Sequence, residues 1–131
     1  MKPAETGHLG EEAVCRWLEE QGYHIQVRNF RIRGGEIDIV ADKGDELCFI
    51  EVKTRKPDAQ ESGFEAVDRR KQRLLIRAAY AYCEKYAISD EDWYIRYDIA
   101  AVTIWQNQVI DIDYLENAFD ESGFHDDSQR Y

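Results

Sequence analysis

The sequence predicts one α/β domain over residues 1–119, a mixed central sheet flanked by helices in the order α-β-β-β-α-β. Three observations carry this expectation. Two stretches show helical periodicity, three β-rich runs joined by turn residues lie between them, and strand alternation returns after the second helix. A chain of 131 residues with 44% hydrophobic side chains has enough apolar material for one core.

At 100° per residue, residues 4–21 put Leu9, Ala13, Val14, Trp17 and Leu18 on one helical face and Glu12, Arg16 and Glu19 opposite, and Gly22 ends the helix. His24 to Ile32 then alternates, and Arg33-Gly34-Gly35 turns the chain back into Glu36 to Ala41 as the second arm of a hairpin. Residues 42–45 form the next turn, and Leu47 to Lys53 is apolar on both faces until Glu51, the mark of a central strand. A polar loop at residues 57–63 precedes a second helix over residues 67–86, with Leu74, Leu75, Ala78, Tyr82 and Tyr86 along one side. Trp93 to Trp105 and Val109 to Ile112 read as strands, and Tyr114 to Phe119 as a short helix. Residues 120–131 read as an acidic, weakly ordered tail.

The net charge of −10 is unevenly spread: residues 1–27 carry −3, residues 28–77 carry +2 and residues 78–131 carry −9. The middle third is therefore the part open to a nucleic acid partner, although a mixed solvated surface explains the same composition. Cys15, Cys48 and Cys83 are far apart and odd in number, so reduced core thiols are expected. His8, His24 and His125 are too scattered for a zinc site. With no signal-like N-terminus and no long apolar run, a cytoplasmic protein with no membrane association is expected.

Chemistry is concentrated in Leu47-Cys48-Phe49-Ile50-Glu51-Val52-Lys53, where an apolar strand spends a carboxylate and an ammonium. Alternation puts Glu51 and Lys53 on one face, and Glu36, Asp38 and Val40 on one face of the preceding strand, opposite Ile37, Ile39 and Ala41. Antiparallel pairing brings Asp38 to Glu51. Two close carboxylates repel unless a cation lies between them, and an oxygen site with few ligands suits Mg²⁺. A neighbouring lysine can hold an attacking water or offset transition-state charge, as phosphodiester hydrolysis requires. The same pattern is compatible with a structural Glu–Lys pair and an incidental Asp38.

The order Asp38 then Glu51-Val52-Lys53 resembles the restriction-endonuclease-like PD-(D/E)XK superfamily, whose core has this α-β-β-β-α-β order. Gly7-x-x-Gly10-Glu11-x-Ala13, Asn29-x-Arg31, Gly35-Glu36-Ile37-Asp38, Phe49 to Arg55, Lys71-Gln72 and Arg96-Tyr97-Asp98 together resemble the YraN family of bacterial proteins, from about residue 7 to Phe119. The chain is also similar to archaeal Holliday-junction resolvases, which carry an additional Glu on the first helix, a place that Glu11 can take.

These resemblances imply a Mg²⁺- or Mn²⁺-dependent endonuclease on nucleic acid, DNA more than RNA, branched or structured, and because symmetric junction cleavage needs two sites, a homodimer is a further expectation. Asp38, Glu51 and the Val52 carbonyl would be metal ligands, Lys53 would position water or stabilise charge, and Glu11 would assist metal or water. Arg33, Arg55 and Lys56 are candidate phosphate contacts because the turn and the strand end share one edge. Gln72, with Lys71, falls on the apolar arc of the second helix and could orient a ligand or phosphate, or merely cap and snorkel. Arg96 and Asp98 read as a buried ion pair. The alternatives are a non-catalytic nucleic-acid-binding module with a nuclease fold, and an acidic protein-interaction scaffold.

Overall fold

The computed structural model describes residues 3–122, with side chains from residue 5 onward. Helix α1 (Pro3–Glu20) leads into β1 (His24–Ile32), β2 (Gly35–Lys43) and β3 (Glu46–Arg55). Helix α2 (Arg69–Lys85), β4 (Tyr94–Trp105) and β5 (Gln108–Phe119) follow. The five strands form one sheet in the order β1-β2-β3-β4-β5, with β3 and β4 parallel and the other neighbours antiparallel. This is the expected mixed sheet, because the α2 crossover returns the chain alongside β3 in the same direction. Among the described residues no helix is long and apolar enough to cross a membrane.

The helices cover opposite faces. Val14, Cys15 and Leu18 of α1 pack on Ile39, Ala41, Cys48, Ile50, Ala100 and Val102, whereas Leu75, Ile76, Ala79 and Tyr82 of α2 pack on Val40, Leu47, Phe49 and Tyr97. Alternation along β3 produces both cores, with Cys48 and Ile50 under α1 and Leu47 and Phe49 under α2. Cys15, Cys48 and Cys83 are free thiols, the first two buried. Asp68 caps α2 as expected of an N-cap aspartate, its carboxylate accepting the Lys71 N–H at 2.9 Å.

Two expectations need correction. Residues 114–119 are not a helix but the end of β5, which runs unbroken from Gln108. Tyr114 pairs with Ala100, stacks against Trp17 at 4.9 Å between centroids and donates to Asp98, so sheet pairing and burial override weak helical periodicity. Second, Ile37 does not share a face with Ile39 and Ala41: it packs with the α2 cluster, and they pack under α1. The β1–β2 ladder is interrupted at Asn29, which has a left-handed φ of 56°, and at the facing Asp38, and strict alternation breaks between Ile37 and Ile39 at this point. Of the acidic tail, residues 123–131 lie outside the described residues.

Arg96 and Asp98 form the expected buried pair, at 2.7 Å. Asp98 is fully buried and also accepts from Tyr114 Oη at 2.6 Å and the Asn117 N–H at 3.0 Å, while Arg96 donates to Tyr23 Oη at 2.7 Å and Glu46 at 2.8 Å. The network ties β3, β4, β5 and the α1–β1 junction together. Replacing Asp98 with Ala strands the guanidinium without its principal anion. Urea unfolding should show a loss of about 3–5 kcal/mol.

Candidate functional site

The β2–β3 ladder ends at Ile39 and Ile50, while β3 stays paired to β4 as far as Arg55. The two strands therefore part at Asp38 and Glu51, which the register would set opposite each other. In place of a ladder bond, the Asp38 carboxylate accepts the Val52 N–H at 2.8 Å. N–H and C=O of one strand residue point to the same edge, so the Val52 carbonyl also faces the side from which β2 has withdrawn.

Both carboxyl groups are largely removed from water, with Asp38 only 7% exposed and the Glu51 side chain 17%. Burial first, and then the neighbouring Glu51 charge, push the Asp38 carboxyl up to about 8; the Val52 N–H opposes this, and Glu11 and Glu36 add to it. Burial likewise raises Glu51, against the attraction of Lys71 and Lys53. Without a cation the pair therefore holds a proton at neutral pH. Among the described residues no three His, Cys, Asp or Glu side chains form a ready metal cage. The candidate donor set is these two carboxylates and a backbone carbonyl, which suits an ion that keeps several waters.

Glu11 reaches this region because α1 lies close on β3: a Cβ at Gly10 would stand 2.6 Å from Thr54 Cγ2. The Glu11 side chain is 15% exposed and 3.9 Å from Arg28, which also pairs with Glu12. Lys53 acts electrostatically on Glu51 from the same strand. Lys71 approaches from α2, its Nζ 3.8 Å from Glu51 Oε1.

The other expected contacts are less concentrated. Gln72 donates its side-chain amide to the Val67 carbonyl at 3.0 Å, so its geometry fits the capping alternative rather than a ligand-orienting role. Arg55 leans on β4, its Nε 3.4 Å from Thr103 Oγ1, while Arg33 and Lys56 are exposed on the β1–β2 turn and after β3. Arg31 and Arg70 are not among the phosphate contacts expected from the sequence. Yet Arg31, Arg70 and Lys71 line a groove with Glu51. The available signal for Arg70 was its i, i+4 relation to Leu74, which lines the same groove.

Residues 10–102 match the profile described as Uncharacterised protein family UPF0102. The chain belongs to this family. UPF0102 proteins similar to it include one from Alkaliphilus oremlandii, 37% identical over 88% of this chain and 97% of the relative. Another, from Trichlorobacter lovleyi, is 40% identical over 88% of this chain and 90% of the relative. A third, from Caldicellulosiruptor saccharolyticus, is 37% identical over 91% of this chain and all of the relative. The UPF0102 match spans Glu11, Asp38, Glu51, Lys53 and Lys71, and ends within β4.

Asp38 also fixes a pH dependence. Its folded pKa of about 8 lies above the ordinary 3.8, so the folded state holds the extra proton between these values. Its contribution is neutral at low pH and becomes increasingly destabilising as pH rises from about 4 to 8. In chelator, Asp38→Asn should therefore gain stability relative to the wild type between pH 5 and pH 8 on thermal melting, since Asn cannot ionise and still accepts the Val52 N–H.

Proposed function

We propose that this protein is a divalent-metal-dependent endonuclease of the PD-(D/E)XK type. The observation that carries the proposal is the pairing of buried Asp38 with half-buried Glu51 where β2 leaves β3, with Lys53 two residues along the same strand. The residues fit Mg²⁺ or Mn²⁺: hard oxygen donors, two negative charges that oppose each other when both are ionised, and an adjoining backbone carbonyl at Val52.

A divalent cation held there would polarise the phosphodiester and ease deprotonation of the attacking water. The protein's own groups supply the rest. Asp38 is oriented by the Val52 N–H and gives up its proton when the cation is taken up. Lys53 orients the water and offsets charge on the phosphorane-like transition state, and Glu11 assists the water from α1. Lys71 steadies Glu51 and adds positive charge on the α2 side.

The similarity to archaeal junction resolvases favours DNA over RNA and a branched or structured substrate. A homodimer follows, because symmetric cutting of a junction requires two sites. Arg33 and Lys56, exposed near this end of the sheet, are the outer phosphate contacts, and Arg55 contributes less because it leans on Thr103.

Labelled linear, single-stranded, flap and four-way-junction DNA should be cut by the wild type with Mg²⁺ or Mn²⁺ and not with chelator. Lys53→Ala should lower the rate about a hundredfold or more with its melting temperature little changed. A folded wild type that binds DNA in a salt-sensitive way but cuts nothing under any divalent ion would favour the non-catalytic binding module.

A further inference from the structure

Between the β1–β2 turn and the first turns of α2 runs a groove of about 470 Å³ that reaches Glu51. Its charged lining is Arg31, Arg70 and Lys71 against Glu36 and Glu51, so cations outnumber carboxylates. Arg31 lies 3.5 Å from Glu36 and Lys71 3.8 Å from Glu51, too far for strong hydrogen bonds, and both keep donors for another anion.

The groove is not only charged. Ile32 and Leu74 line it from the hairpin and the helix. Where the two elements meet there is no space for a side chain: a Cβ at Gly35 would stand 2.8 Å from the Leu74 carbonyl oxygen. Glycine at this position lets backbone meet backbone.

This combination discriminates between nucleic acid forms. A blunt duplex presents phosphates outside and hides its base faces by stacking, so Ile32 and Leu74 would gain nothing from it. An unpaired nucleotide offers a phosphate to the cations and an apolar base face to Ile32 and Leu74. The volume is in the range of small-ligand pockets and suits about one nucleotide.

Resting on the nuclease reading of the adjoining carboxylates, we infer that the groove receives an unpaired nucleotide next to the phosphate under attack. The substrate is then a nucleic acid with a single-stranded segment at the cleavage point, such as a flap, a frayed end or an open junction arm. Arg31, Arg70 and Lys71 hold the flanking phosphate and Ile32 and Leu74 receive the base.

The test is fluorescence anisotropy in chelator, where no divalent-dependent cutting occurs, with a short labelled single strand and a blunt duplex of the same sequence, in DNA and RNA versions. The wild type should bind the single strand about tenfold more tightly than the duplex, a difference within the reach of one base contact. The Arg31→Ala/Arg70→Ala variant alters exposed side chains and should melt like the wild type. It should lose that preference while its duplex affinity falls less. This pattern in either the DNA or the RNA series supports the groove assignment. Equal binding of duplex and single strand by the wild type, or an unchanged preference in the double variant, overturns it. Failure of the nuclease reading shows separately, as absence of Lys53-dependent cutting, and leaves this titration interpretable.

Discussion

Two carboxylates buried side by side set the central constraint on this fold. Asp38 and Glu51 could each be tolerated at a strand end, but together, with both largely removed from water, they repel and share too little solvent. The sheet accommodates them by ending the β2–β3 ladder at Ile39 and Ile50 and giving the Val52 amide to Asp38. The remaining sheet compensates on the other side of β3, where β4 stays paired through Arg55 and the Arg96–Asp98 network anchors β4 to its neighbours. Such local frustration within an otherwise consistent core is where function is expected to reside.

The acidic total becomes compatible with nucleic acid once the strand order is known. The sheet places β1 and β5 at opposite edges. Asp111, Asp113 and Glu116 belong to β5, whereas Arg31 and Arg33 lie at the β1–β2 end of the sheet. These three of the twelve acids in residues 78–131 therefore stand at the far edge from the basic groove, and at physiological salt exposed charges more than a Debye length apart are largely screened. Net charge alone says little about which face meets a polyanion.

Much of this was legible in the sequence for a physical reason. The β2–β3 turn is short, so period-two alternation and antiparallel pairing bring Asp38 near Glu51 without any knowledge of the rest of the fold. Arg96 and Asp98 were readable as a pair because they share a strand face in an apolar run. What was illegible depended on tertiary context. Asn29 adopts a left-handed conformation that no alternation rule reveals, and across from it, at Asp38, the alternation of β2 breaks so that Ile37 packs on the α2 side. Tyr114 to Phe119 is held in β5 by β4 and by Asp98, neither of which is local to it. Arg31 and Arg70 are unremarkable polar residues on their own elements, and become a pair only when Gly35 lets the hairpin touch α2.

On the proposed function, Asp38 and Glu51 form a cation site that is held protonated until a cation arrives. Calorimetric titration of Mn²⁺ into the protein near pH 7, in two buffers of different ionisation enthalpy, reads both binding and proton release. Saturable binding with net release of protons, abolished by Asp38→Asn, is the expected result. Absence of binding, or binding that is undiminished in Asp38→Asn, would contradict it.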